Sequence, residues 1–267
     1  MEKENQISTA NSVSVTIIIT VWKRNYLEEQ IESLLNQTVL PEQIWIIHYE
    51  DHIDIRPLIK RYLPVFPSIF IIEADLNLKF FGRYSMAGYV NTEYVWVLDD
   101  DVIPGRKWLE RSCEKCSELN AVITCTGRII PKDDFIPEKC SSGEIEKYFI
   151  GDSNDADAMH YCPVDTIVDY PCNSYFIKSS WVSDFWAIWP STFLSGDDIH
   201  LSAALKIKRN VPTVVLAQSC GETTGNLRKE YGLDEHKSWL KPGWFETRES
   251  ILRNLIQVQG WKPILWS

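Results

Sequence analysis

Between Val13 and Leu98 the chain alternates between short β-branched runs and stretches of helical period. Val15–Val21 (Val-Thr-Ile-Ile-Ile-Thr-Val), Gln43–His48, Ser68–Glu73 and Glu93–Leu98 read as strands. Between them, Tyr26–Asn36 sets Leu27, Ile31, Leu34 and Leu35 on one side of a helix. Ile55–Leu63 is helical and stops before Pro64, and Phe80–Val90 is a further helix. Pro41 is expected to break the first connection. Strands separated by whole helices are joined by crossovers rather than hairpins. The expected fold class is therefore α/β, a mainly parallel sheet with helices on both faces.

The last of these strands ends in Asp99-Asp100-Asp101. In open parallel sheets, ligands bind at the carboxyl ends of strands. A solvated turn needs one Asp or Asn, not three. Three adjacent carboxylates repel one another, and a hard divalent cation carrying substrate phosphates would relieve that repulsion.

Beyond Leu98 the pattern changes. Trp108–Glu118 reads as a helix, Ala121–Thr126 as a strand, Tyr170–Ile177 as a strand and Pro212–Ala217 as another. Gly127–Asp169 is polar and loop-rich, with Asp152, Asp155 and Asp157, and reads as an acceptor loop or an insertion. Asp197–Lys208 is a helix with acids at its N-terminus, and Glu246–Val258 an amphipathic one with Ile251, Leu252, Leu255 and Ile256 on one side. No linker rich in Pro, Gly and Ser divides the chain. The expected organisation is a polar tail over residues 1–12 and one domain over 13–267. Its nucleotide-binding half would span about 13–101 and its acceptor half about 102–267.

Among the 267 residues, a net charge of −10 argues against a nucleic-acid partner, which needs a basic face. Met1–Ser12 are polar, so no secretory leader is expected, and runs such as Val13–Trp22 are too short to span a bilayer. Seven cysteines, Cys113, Cys116, Cys125, Cys140, Cys162, Cys172 and Cys220, are scattered and odd in number. They fit reduced thiols in a cytoplasmic protein better than a disulfide framework. Cys113 and Cys116 have zinc-knuckle spacing, but lack a second such pair and fit one helix.

Thr20-Val21-Trp22-Lys23-Arg24, the helix through Glu32–Thr38, Leu98-Asp99-Asp100-Asp101 and Gly196-Asp197-Asp198-Ile199 together resemble GT-A fold glycosyltransferases of the family 2 type. The Asp-Asp form of the last element, with Asn226-Leu227-Arg228-Lys229-Glu230, is also similar to the exostosin-like (family 64) transferases. The resemblance spans about Val13 to Ala217 in order. It implies transfer of a sugar from a nucleotide-diphosphate donor, UDP-linked, to a hydroxyl of a glycan or lipid-linked acceptor. It assigns Asp101, with Asp99, to Mn²⁺ or Mg²⁺, and Thr20, Trp22, Arg24, Arg83, Asp99 and Asp100 to the donor. Asp198, beside Asp197, becomes the general base if the enzyme inverts; exostosin-like members retain. Peripheral membrane association and oligomerisation stay open. His48 stands where the family places a base-contacting aspartate, with Glu50 or Asp51 as substitutes. His236 is a candidate third metal ligand. His200 reads as an ordinary helix residue, and Trp239, Trp244 and Trp261 as either acceptor platform or core.

Two other readings compete. A nucleotidylyltransferase would carry a glycine-rich phosphate loop after the first strand, and Val21-Trp22-Lys23-Arg24-Asn25 has no glycine. A non-catalytic nucleotide-sugar-binding protein on the same fold would have no need of the full acidic set.

Overall fold

A computed structural model of the protein describes residues 12–50, 52–132, 135–137, 147–152, 159–219 and 221–266. Its N-terminal elements are β1 (Ser12–Val21), α1 (Leu27–Leu35), β2 (Leu40–Tyr49), α2 (Arg56–Tyr62), β3 (Ile69–Ala74), α3 (Lys79–Ala87) and β4 (Tyr94–Leu98). There follow α4 (Trp108–Leu119), β5 (Val122–Thr124), β6 (Thr126–Arg128), β7 (Phe149–Ile150), β8 (Thr166–Val168), β9 (Tyr170–Cys172) and β10 (Ser174–Lys178). The C-terminal elements are α5 (Val182–Phe185), α6 (Asp197–Arg209), β11 (Thr213–Val215) and α7 (Trp244–Arg253).

An eight-stranded sheet runs β3-β2-β1-β4-β10-β5-β11-β8. The first four strands are parallel, as the crossover rhythm predicts. Val15, Ile17, Ile18 and Ile19 of β1 and all of β4 are buried, because helices cover both faces. Each such aliphatic side chain contributes about 1.5–3 kcal/mol through burial. A second apolar cluster joins Ile130, Tyr170, Ile199, Ile251, Leu252 and Trp261, and seats α7 against α6.

The structure departs from the sequence expectations where strands are short. Pro41 does not break the chain but lies second in β2, opposite Val13, near a strand start where a missing N–H costs least. The strand expected over Ala121–Thr126 divides at Cys125 into β5 and β6. The one expected over Tyr170–Ile177 divides at Asn173, whose φ of 65° turns the chain. Thus β9 joins a small β7-β6-β9 sheet, while β10 enters the main sheet antiparallel to β4 and β5. The helix expected over Glu246–Val258 is α-helical to Arg253 and then widens to a π-helix over Asn254–Val258. Among the described residues no helix is long and apolar enough to cross a membrane.

Cys113 and Cys116 lie on α4, and burial pushes both thiols up to about 12. Both therefore stay protonated at neutral pH. Cys140 and Cys220, with Asp51, Asp155 and Asp157, lie outside the described residues.

Candidate active site

The chain leaves β4 between two neighbours that hold it. Asp99 N–H donates to Asn173 O at 2.9 Å, and the Gln30 amide on α1 donates to Asp99 O and Val102 O at 2.8 and 3.1 Å. The three carboxylates then divide between two arginines. Arg83, on α3, donates to Asp99 Oδ1. Arg24, three residues past β1, donates to Asp100 Oδ1 at 2.8 Å and Asp101 Oδ2 at 2.5 Å. Its remaining edge forms a fork with Asp234 at 2.7 and 2.9 Å. Asp101 Oδ1 is buried and has no hydrogen-bond partner.

These arginines do not neutralise the cluster. Burial raises Asp99 to about 7; Arg83 pulls it down, and the charge of Asp101 adds to the rise. Burial likewise lifts Asp100 to about 6 against the pull of Arg24, and Asp101 to about 6 with the charge of Asp100 adding to it. Desolvation penalises the charged form, and like charges reinforce the penalty. Burial also opposes the charge on Arg24, but Asp234, Asp101 and Asp100 together hold its pKa above the usual arginine range.

The second acidic group sits at the start of α6. Gly196 precedes it with φ of 82°, and a Cβ there would stand 2.5 Å from Ile251 Cδ1, so glycine suits both the turn and the packing. The helix then presents Asp197 and Asp198 in its first turn, where the dipole favours negative charge. Arg83 Nη2 donates to Asp197 Oδ2 at 2.8 Å. Asp198 receives both arms of Arg248, at 3.0 and 2.8 Å, and its Oδ1 also accepts Ile199 N–H at 2.8 Å. Burial raises the Asp197 pKa against the pull of Arg83.

Arg83 is thus the link between the two acidic groups. Its side chain is 3 % exposed, which removes the surface-arginine reading. It stacks toward Tyr175 and Tyr84, with the guanidinium carbon 4.8 and 5.8 Å from the ring centroids.

The other sequence candidates fall into place around this link. Trp22 follows β1 and donates its indole N–H to Glu50 Oε2 at 2.6 Å. Thr20 is half-buried on β1. His48 is buried at the end of β2, beside His52. His200 is an inward helix residue, its Nε2 2.9 Å from Phe185 O. His236 is partly exposed, two residues from Asp234, whose Oδ1 accepts its backbone N–H at 2.9 Å. Trp261 is core, Trp244 packs edge-on to Phe80, and Trp239 is exposed. Asp152 is engaged by Arg128 and Lys229, so it serves structure in the loop region.

Sequence reasoning missed Arg248 and Asp234. A signal for Arg248 was present: it lies three, four and seven residues before Ile251, Leu252 and Leu255, on the apolar face of α7. A charge on a buried helix face needs a partner. Asp234 had no such signal, because it sits in irregular backbone after a 3-10 helix over Lys229–Leu233.

Among the described residues, no three His, Cys, Asp or Glu side chains form a metal cage by themselves. An oxygen-rich site with one unpartnered carboxylate oxygen nonetheless suits Mg²⁺ or Mn²⁺. Such ions are commonly held by one or two carboxylates plus substrate phosphates.

A sheet parallel over β3-β2-β1-β4, with acids after its central strand β4 and a second acidic pair at the start of α6 linked to them through Arg83, has the arrangement expected of the GT-A fold. Residues 16–179 match the family model described as Glycosyl transferase family 2. The chain belongs to that family. Among solved structures, it is similar to residues 1–349 of S. aureus TarS, with 12 % identity and a TM-score of 0.51, over 77 % of this chain and 58 % of that one. A longer S. aureus TarS structure matches with 13 % identity and a TM-score of 0.50, over 77 % of this chain and 35 % of that one. The chain therefore spans less than two thirds of either TarS structure, and at these identities the likeness establishes the fold. No curated protein matches the chain.

Proposed function

We propose that the protein transfers a sugar from a nucleotide-diphosphate donor, UDP-linked, to a hydroxyl of a glycan or lipid-linked acceptor. The observation that carries this reading is Arg83, which holds Asp99 and Asp197 in one site although they are remote in sequence. In this reading donor chemistry belongs to the β4 end and acceptor chemistry to the α6 start, and the Arg83 bridge between them supports it.

In this reading Asp101, with Asp99, holds Mn²⁺ or Mg²⁺. The free Asp101 Oδ1 and the excess of carboxylates over guanidiniums support that role. When bound, the ion supplies Lewis-acid stabilisation to the negative charge growing on the leaving diphosphate. Arg24 and Arg83 orient the donor with Thr20, Trp22, Asp99 and Asp100. Asp198 accepts the acceptor hydroxyl proton if the anomeric centre inverts. Its Oδ2 accepts a single described hydrogen bond, from Arg248, which leaves a lone pair for that proton. Arg248 fixes the carboxylate plane, and burial beside Tyr170 and Trp244 keeps the fork in place.

The test is donor turnover: release of UDP from UDP-sugars with Mn²⁺, in the presence and absence of candidate acceptors. Asp101→Ala should abolish metal-dependent UDP binding. Unchanged binding by calorimetry would remove the metal assignment, and no turnover of any nucleotide-sugar would remove the donor reading.

A further inference from the structure

Of the eleven tryptophans only Trp189 and Trp239 are exposed, Trp189 at 73 %. Each stands with further exposed apolar side chains. Phe193 and Leu194 follow Trp189 in the connection between α5 and α6. Leu240 follows Trp239 in a 3-10 helix over Ser238–Leu240 that buries none of its residues. A third such place is the approach to α3, where Leu76 and Leu78 are exposed. Aromatic contacts join the three. Trp189 meets Phe193 with ring centroids 5.4 Å apart, and Phe193 meets Phe81 of α3 at 5.2 Å. The neighbouring Phe80 meets Trp244 edge-on at 6.2 Å. Trp244 N–H donates to Lys241 O, and Lys241 N–H to Ser238 O, both at 3.1 Å, which ties Trp244 to the Ser238–Leu240 turn.

The charge of these segments has one sign. Residues 76–82, 185–196 and 236–245 contain Lys79, Lys237 and Lys241 and no Asp or Glu, in a chain with 37 acids to 27 Lys and Arg. Lys237 Nζ lies 4.0 Å from the Trp239 ring centroid, and Lys241 Nζ 5.6 Å from that of Trp22. Lysine stems lie along apolar surface in this way while the ammonium stays in water. Single exposed apolar side chains need no explanation, but a joined patch rimmed by cations marks a surface that meets something.

We propose that these three segments form a docking surface for an anionic lipid bilayer. Tryptophan suits the boundary between headgroups and acyl chains, because its ring is apolar and its N–H is not. The leucines enter the acyl boundary beside it, and the lysines meet the negative headgroups. Other occupants fit less well. A second copy related by a two-fold axis would bring its lysines onto a patch without an acid to receive them. A free glycan would stack on the tryptophans and leave Leu76, Leu78, Leu194 and Leu240 uncovered. The placement also bears on the site. The three segments run directly into α3, which carries Arg83, α6, which opens with Asp197 and Asp198, and α7, which carries Arg248. The inference rests on the acceptor reading above and deepens it, selecting the lipid-linked form, with the hydroxyl presented at the headgroup layer.

Co-sedimentation of the full chain with vesicles tests the surface without requiring turnover. Vesicles of phosphatidylcholine and phosphatidylglycerol in equal parts should bind the protein, and added salt should weaken that binding. Vesicles of phosphatidylcholine alone should bind it far less. Lys237→Ala and Lys241→Ala should each weaken binding about fivefold, and the arginine variants at these positions should bind as wild type. Trp189→Ala and Leu240→Gln should each weaken it about tenfold. All four positions lie outside the core, so unchanged thermal unfolding is the control. Should Trp189→Ala fail to fold, Leu240→Gln carries the apolar arm. Equal binding to both kinds of vesicle, or variants that bind as wild type, would overturn the proposal. A dimer in sedimentation velocity that these variants dissociate, without vesicle binding, would assign the patch to a second copy and overturn it equally. Sugar transfer from UDP-sugars without vesicle binding would remove the surface and leave the transferase reading; vesicle binding without turnover of any nucleotide-sugar would do the reverse.

Discussion

The acids at the end of β4 and Asp198 at the start of α6 are opposites in how they are neutralised. At the end of β4, Asp99, Asp100 and Asp101 share Arg24 and Arg83, and each of those arginines is also committed to a further acid, Asp234 or Asp197. At the start of α6, Asp198 has the whole fork of Arg248, an amide and the helix dipole. The first group has five carboxylates to two guanidiniums when Asp234 and Asp197 are counted, and burial, reinforced by like charge, lifts its own carboxyls to about 6 and 7. In the second, Asp198 is supplied with positive charge, while Asp197 shares Arg83 with Asp99 and burial raises its pKa too. A region left under-neutralised is suited to receiving a cation, whereas a region already satisfied is suited to holding one carboxylate in a fixed orientation.

The largest expected effect tests the deficit. Asp101→Ala should lower metal-dependent transfer by on the order of 10³-fold or more, the several kcal/mol a Lewis acid supplies. Its thermal unfolding without metal should be no lower than wild type, because a repelled carboxylate has gone. A wild-type rate would show that the cluster is not the metal site.

Next comes the satisfied group. Arg248→Met leaves Asp198 buried and unpaired, and should cost about 3–5 kcal/mol in denaturant unfolding. Adding Asp198→Leu should recover much of that loss. If the double variant is no more stable than the single, the pair is not the source of the cost.

Asp198→Asn keeps the side chain's size while removing the proton acceptor; it also leaves one donor of Arg248 or Ile199 without an acceptor, so its unfolding curve is measured beside its rate. Donor affinity should hold while transfer falls on the order of 10²-fold or more. Proton NMR of the first product bears on the same point: a retained anomer would remove the need for a base and leave Asp198 an orienting role.

The smallest effect is a pH slope. The folded-state pKa values of Asp99, Asp100 and Asp101 lie above the unfolded carboxylate value, so between about pH 4 and pH 7 the native state binds more protons than the unfolded one. Stability should then fall as pH rises through that window. His160, held by burial at about 4, acts in the opposite sense below about pH 6.5, since the unfolded state there takes the proton. The difference between unfolding curves with and without Mg²⁺ isolates the acids: the ion should stabilise more at pH 7 than at pH 5. Equal stabilisation at both would sever the link between the cluster and the metal.

Sequence alone was enough for the parallel half of the sheet, because β1 to β4 are long enough for their apolar runs to declare themselves and the intervening helices leave only crossover connections. It was also enough to single out Asp99–Asp101 and Asp197–Asp198, since adjacent carboxylates at a strand end or helix start exceed any local need. What it could not determine lies in pairings between distant segments. The split at Asn173, the antiparallel entry of β10, the forks of Arg24 with Asp234 and Arg248 with Asp198, and the approach of Lys241 to Trp22 all join segments remote in sequence. A side chain's charge is written in the sequence, but its burial and its partner are not. Those depend on which surfaces pack together, and so the balance of charge that separates the two acidic groups was decided only by the tertiary structure.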